Sequence, residues 1–462
     1  MEVTFFGAAR QVTGSMYHIR TESNFQVLVD CGLDYEKDRE FSENAHFPFD
    51  PKAIKAVLLT HAHIDHSGNL PTLFAKGFNG AVFCTEPTMA LSDILLQDSA
   101  QIELNKSKRK SKSKKGRQNP RLYGFKQVMD TVESMITVDF HKEFKLNDEL
   151  SFEFIPAGHI LGAASIKVNF EEKGIKKSIA FSGDLGKNDN AILDGPKIPT
   201  GLDYLVLEGT YGSREHVEKR SAEEVLKQHI IETCIERPGR LIIPAFSVGR
   251  TQSILFTLHK MFREGVLPPI RIFADSPLGL NSGTIHEKYH QYLNRTARNF
   301  VEEYGNLFAF KSLYLIEDEE DEQLLKDYSS SSILVSSAGM MEGGRIQRHI
   351  SANIENQLCR ILIAGYCTPG TLGHQLLEGR NSIRIRGREK AVFAQIASTD
   401  VFSAHPDRFE LKKYLERIVV EGNIKKVMLT HGESASLDEF KEYLKELNLD
   451  IVVPGPGERI LL

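Results

Sequence analysis

The sequence predicts an α/β fold, and three observations carry that expectation. Short apolar runs of strand length alternate with longer amphipathic runs of helical period along the chain. The 462 residues exceed what one hydrophobic core usually organises, so two domains are expected. Many of the strand-like runs end in a polar residue able to do chemistry: Asp30, His61, His159, Asp184, Glu208 and His431. In α/β sheets, ligands gather at strand ends and the loops beyond them.

Strands are expected at 3–6, 26–30, 56–60, 152–156, 178–182 and 204–208, where the apolar runs are short. The same signal recurs at 241–244, 271–274, 333–336, 361–364, 391–396 and 427–430. Apolar residues at helical spacing predict helices over 222–235, 251–262, 285–293, 408–419 and 437–447.

Composition narrows the class. A hydrophobic fraction of 41% and a charged fraction of 26% are those of an ordinary globular protein. No apolar run is long enough to span a bilayer, and the first residues lack a signal-peptide pattern. No membrane association and a cytoplasmic address are therefore expected. The five cysteines are odd in number, scattered and without a CxxC pair. That pattern argues against a disulfide framework and a cysteine-type zinc site, and fits a reducing compartment. The net charge of -5 gives no global attraction for nucleic acid, so any such binding needs local basic patches.

One such patch lies at 105–121, with nine Lys or Arg between Lys106 and Arg121 and no acid. It reads either as a solvated loop or as an arm that attracts phosphates. Its acidic counterpart, Glu317 to Glu322, suits a helix N-terminus.

The chemistry concentrates at His61-Ala62-His63-Ile64-Asp65-His66, directly after a β-run. Three histidines and an aspartate this close together are costly to bury unless something divalent binds them. Ligands to complete the shells are found at His159, Asp184 and His431, each beside glycines that let backbone approach closely. Any one of these alone would more often be structural. Together they form the set that two zinc ions sharing a carboxylate and a water require. Two metals about 3.5–4 Å apart activate water at neutral pH and clamp the oxygens of an in-line displacement. Asp30 is the expected outer partner that orients a ligand.

Asp30, the His61–His66 hexapeptide, His159 and Asp184 resemble, in order, the first four motifs of the metallo-β-lactamase superfamily. Leu207-Glu208-Gly209-Thr210-Tyr211-Gly212, Ser403-Ala404-His405-Pro406-Asp407 and Leu429-Thr430-His431-Gly432-Glu433 resemble motifs A, B and C of its β-CASP nucleases. The resemblance implies an αββα sandwich over 1–208, an inserted α/β β-CASP domain over 209–385, and a return segment over 386–462. It further implies that His61, His63 and His159 hold one zinc, that Asp65, His66 and His431 hold the other, and that Asp184 bridges. Glu208 would orient His405, and His405 would stabilise or protonate the departing oxygen. Asp65 belongs to the same catalytic set. A histidine in motif C and a glutamate in motif A are similar to the RNA-processing members, such as the endonuclease subunit of pre-mRNA 3′-end cleavage. Gly209 departs from the serine common at that place, without touching a ligand position.

Within the inserted segment, three strand-to-helix glycine turns carry Arg250, Ser336 with Arg345, and Thr371 with His374. Backbone N–H groups at such turns bind anions. The turns also resemble segments lining the nucleic-acid cleft of the family, which makes these five residues the expected substrate contacts. A cleft between two domains would admit a single strand and exclude a duplex.

The leading expectation is thus a ribonuclease with two Zn2+ per chain, acting on single-stranded RNA. Internal cutting is favoured over 5′→3′ trimming, because no appended RNA-binding domain and no long C-terminal extension is read. A homodimer is left open. Two other classes compete: a thioesterase or lactonase of the same superfamily, and a non-catalytic scaffold. The long insertion with its arginine-bearing turns opposes the first, and the filled ligand positions oppose the second.

Overall fold

Alternation along the strands decides the layers. In Leu150–Pro156 and Ala164–Glu172, Phe152, Phe154, Ile166 and Val168 are buried while Glu153, Lys167 and Asn169 are less so. One face of this antiparallel pair therefore seeks a core. Tyr204–Glu208 is buried throughout, as suits a strand with parallel neighbours on both sides. The computed structural model describes residues 1–35, 41–111, 122–266 and 270–462, and side chains at 41–42 and 106–111 are outside the description.

Among the described residues, two compact units form. The first comprises 1–188, 195–215 and 405–462. It holds two seven-stranded sheets. One runs Glu458–Leu461, Glu2–Gly7, Met16–Arg20, Gln26–Val29, Ile54–Leu58, Ala81–Cys84 and Met135–Thr137. The other runs Ile451–Val452, Lys426–Thr430, Tyr204–Glu208, Ile175–Phe181, Ala164–Glu172, Leu150–Pro156 and Glu143–Lys145. Phe5, Ile19 and Val29 of the first sheet share one apolar core with Phe152, Ile166, Phe181 and Met428 of the second. The helix Leu70–Ala75 covers the outer face of the first sheet, through Leu70 and Leu73 against Leu28, Val57 and Val82. Helices Arg408–Glu421 and Ser434–Tyr443 bury Leu411, Leu415, Leu437 and Phe440. This is the αββα sandwich.

The second unit comprises 189–194 and 216–404. Its parallel six-stranded sheet runs Leu313–Leu315, Arg271–Asp275, Ser332–Ser336, Arg240–Pro244, Arg360–Ile363 and Gln395–Ser398. Because Gln395–Ser398 pairs with Arg360–Ile363, the chain stays with this unit until Ala404. The return is thus later than the expected 386.

Several elements differ from expectation for local reasons. The run 391–396 is two strands, Arg388–Ala391 and Gln395–Ser398, because the N–H groups of Phe393 and Ala394 turn to the Ile354 carbonyl. The helix expected at 285–293 spans Pro277–Lys288, started by the Ser276 cap and Pro277. The one expected at 222–235 ends at Ile230 and continues as a π-type turn, Ile231–Ile235. The acidic run does open a helix, Glu319–Asp327, capped by Asp318. Residues 106–111 of the basic segment extend the helix Glu86–Ser111, and 112–121 lie outside the described residues. All five cysteines are free and buried.

Candidate metal centre

Six strand ends of the first unit converge. The strand Ile54–Leu58 stops two residues before His61, and His63 leads into the short helix Ile64–Ser67. That tight turn lets Asp65 and His66 face the same way as His61 and His63. Gly32 permits it: a Cβ there would fall 1.6 Å from the Asp65 carbonyl oxygen. His159 and Asp184 follow Leu150–Pro156 and Ile175–Phe181, and His431 follows Lys426–Thr430.

Two ligand sets result. His61, His63, His159 and Asp184 form one, and Asp65, His66 and His431 the other. Within the first, Nε2 of His61 and Nε2 of His159 lie 3.1 and 3.2 Å from Nδ1 of His63, and both lie 3.6 Å from Asp184 Oδ2. Within the second, Nε2 of His66 lies 3.0 Å from Nε2 of His431, and the two lie 3.2 and 3.4 Å from Asp184 Oδ1. Asp65 Oδ2 stands 3.7 Å from His431 Nε2. Asp184 therefore presents one oxygen to each set. A tetrahedral ion with ligands near 2.0–2.1 Å keeps them about 3.3 Å apart, which is the spacing found.

The outer hydrogen bonds test the fit. The Thr60 hydroxyl donates to Asp30, at 2.9 and 3.0 Å, so toward His61 Nδ1 (3.1 Å) it accepts. The Thr210 hydroxyl donates to the His431 carbonyl (3.1 Å) and accepts from His431 Nδ1 (3.0 Å). His66 Nδ1 lies 2.7 Å from Asp30 Oδ2. In each case Nδ1 carries the proton and Nε2 turns a lone pair inward. Lone pairs of His66 and His431 at 3.0 Å need a cation between them, whether a proton or a metal ion. Asp184 Oδ1 is buried with no hydrogen-bond donor of its own. Burial pushes the His61, His63 and His159 rings below the ordinary imidazole range, so they are neutral donors. Burial acts the same way on His66, but Asp184 and Asp30 outweigh it and hold that ring well above the usual value. The residues fit a pair of divalent ions.

At the rim, His405 Nδ1 lies 3.2 Å from both Glu208 oxygens, and its Nε2 lies 3.9 Å from Asp184 Oδ2. Glu208 is buried and anchored by the Leu185 N–H at 2.6 Å. Burial opposes charge on His405, yet the Glu208 carboxylate lifts its pKa above the ordinary value.

The expected substrate contacts all belong to the second unit. Arg250 opens the helix Arg250–Arg263, lies 4.7 Å over the Phe246 ring and donates to the Phe402 carbonyl at 3.3 Å. Thr371 caps the helix Leu372–Leu377, and His374 sits in its first turn, 3.5 Å from Glu378. Ser336 and Arg345 both bond Asp275. The buried Ser336 hydroxyl donates to the Asp275 carbonyl at 2.9 Å, and Arg345 pairs with Asp275 at 2.6 Å. Buried Asp275 thus holds both side chains.

Comparison with known proteins settles the family. Residues 9–229 match the metallo-beta-lactamase superfamily, 251–376 the Beta-Casp domain, and 390–454 the Zn-dependent metallo-hydrolase RNA specificity domain. Ribonuclease TTHA0252 of Thermus thermophilus is 30% identical over 439 residues, covering 95% of this chain and 94% of that one. The chain belongs to the β-CASP group of the metallo-β-lactamase superfamily. Transcription termination factor FttA of Methanosarcina mazei is 27% identical, across 97% of this β-CASP chain and 70% of its own. An RNase J-like protein of Methanocaldococcus jannaschii is 28% identical, across 98% of both. Membership makes the chain a metal-dependent hydrolase, with the buried His/Asp cluster as its divalent-metal site.

Sequence reading of this β-CASP enzyme missed Thr60 and Thr210, the hydroxyls that fix His61 and His431. Their signal was adjacency: each is next to, or just past, a residue already singled out. It also missed that Asp30 and His431 sit at positive φ, 60° and 53°. Backbone strain of this kind gathers at functional sites.

Proposed function

We propose that this β-CASP enzyme is a ribonuclease that hydrolyses phosphodiester bonds of single-stranded RNA with two zinc ions per chain. Internal cutting is its main mode and 5′→3′ trimming a secondary one. The Glu208–His405 pair, poised over the carboxylate shared by both ligand sets, carries the reading. His61, His63 and His159 would hold one ion, Asp65, His66 and His431 the other, with Asp184 common to both. When bound, the metals activate a water and offset charge on the phosphate oxygens.

The chain's own residues supply the rest. Glu208, fixed by the Leu185 N–H, takes the His405 Nδ1 proton as a hydrogen bond and favours the charged ring. The opposite nitrogen then holds a proton on the side of Asp184. Delivered to the departing alkoxide oxygen, that proton removes the cost of expelling an anion. Asp30, Thr60 and Thr210 keep the inner nitrogens unprotonated and aimed inward. RNA rather than a small ester is favoured by the match to the RNA specificity domain and by the ribonuclease among the relatives.

The test is digestion of a 5′-labelled single-stranded RNA, with matched DNA, by the wild type and His405→Ala. Wild type should give a ladder of fragments from RNA. The variant should lose about 10²–10⁴-fold in rate while keeping its zinc. Full activity in the variant would remove His405 from the mechanism, released mononucleotides alone would reassign the enzyme as an exonuclease, and intact RNA beside a hydrolysed thioester would end the ribonuclease reading.

A further inference from the structure

The hairpin Ser382–Ile385/Arg388–Ala391 of the second unit stands apart from that unit's six-stranded sheet. From Arg380 to Lys390 it carries Arg380, Arg384, Arg386, Arg388 and Lys390 against one acid, Glu389, in a chain whose net charge is -5. Ile383 and Ile385 are buried and pin the hairpin to the unit's core, whereas Arg384, Arg386 and Arg388 are exposed. Glu389 faces Arg384 across the strands but hydrogen-bonds the Ser382 hydroxyl at 3.0 Å instead. Among the described residues, no carboxylate lies within ion-pairing distance of Arg384, Arg386 or Arg388. An arginine with nothing to neutralise it, on a rigid strand rather than a mobile tail, is suited to meet an anion.

Two further observations point the same way. Arg386 and Gly387 form the turn, both at positive φ (50° and 79°). Such a two-residue turn favours asparagine or glycine first, since a side chain there is strained. The chain nonetheless places an arginine at the tip, where it gains nothing within the fold. Beside the hairpin lies an open cavity of about 600 Å³, lined by Gln375, Arg380, Ser382, Arg384 and Glu389. It is polar, and its size suits a nucleotide unit rather than a bare ion.

We propose that this hairpin and its cavity are a backbone-binding surface for a single RNA strand, with Arg384 and Arg386 contacting successive phosphates. The ligand's identity rests on the ribonuclease reading above; the charge and geometry of the surface do not. It acts by sequence-independent phosphate contact.

Binding of a 5′-fluorescein oligouridylate of about 20 nucleotides is followed by anisotropy from about 50 to about 200 mM salt. The full chain is used with His405→Ala, so that the strand stays intact. Adding Arg384→Gln and Arg386→Gln should weaken binding at least tenfold and lower the slope of log Kd against log salt by about 1.4, near 0.7 per lost contact. The single variant Arg386→Gly keeps the turn and relieves its strain, so Tm should hold or rise while binding weakens by a few-fold. Affinity and slope unchanged in the double variant overturn the hairpin's role and leave the ribonuclease reading intact. A parent that neither binds the strand nor, with His405 restored, cuts it overturns both.

Discussion

Both units place a buried aspartate at or just past the end of a strand, and the two aspartates have opposite surroundings. Asp275 meets donors: Arg345 at one oxygen and His349 at the other, each at 2.6 Å. Asp184 meets the Nε2 atoms of His61, His66 and His431, whose Nδ1 protons are held by Thr60, Asp30 and Thr210. A carboxylate saturated by the chain's own donors ties elements together. One ringed by acceptors needs a cation from outside. The contrast separates a structural ion pair from a metal seat at equal burial, which position at a strand end cannot do.

The largest break of this contrast is Asp184→Asn. It removes the charge both sets share, so bound zinc should fall and RNA cleavage should drop by roughly a thousandfold or more, several kcal/mol of charge stabilisation being at stake. Elemental analysis beside a rate measurement checks it, and a variant with both ions and a near-native rate would leave Asp184 a bystander. Asp275→Asn should do the reverse, costing about 2 kcal/mol of folding stability by stranding Arg345 and His349, with zinc content unchanged. Burial alone would raise the Asp275 carboxyl, but His349 and Arg345 bring it below the usual range. Its contribution is therefore present above about pH 4 and fades as acid protonates it, so wild type and variant should converge in Tm toward low pH. The smallest effect belongs to Thr210→Val, which frees the His431 ring. A roughly tenfold weaker hold on one ion, read by chelator competition, is expected at unchanged Tm. Equal affinity would show that His431 needs no outer partner.

The metal ligands were legible because the hexapeptide is local in sequence and the other ligands end apolar strands. The contacts of Ser336 and Arg345 with Asp275 were hidden for the converse reason. A glycine turn after a strand looks the same whether its side chains meet a ligand or a neighbouring strand, and Asp275 carries no motif that announces its claim on them. The run 391–396 shows the same limit, since its apolar pattern continues while its backbone donors turn to Ile354. Thr210 reads as a turn residue until His431, far off in sequence, arrives beside it. The basic hairpin escaped notice because its charges alternate with isoleucines instead of forming a block.

The order of the ligands along the chain has a consequence for synthesis. His61, His63, His159 and Asp184 all precede the inserted unit, whereas His405 and His431 follow it. Synthesis therefore completes one ligand set long before the other, and it adds His405 and the sheet strand Lys426–Thr430 only after the whole insertion.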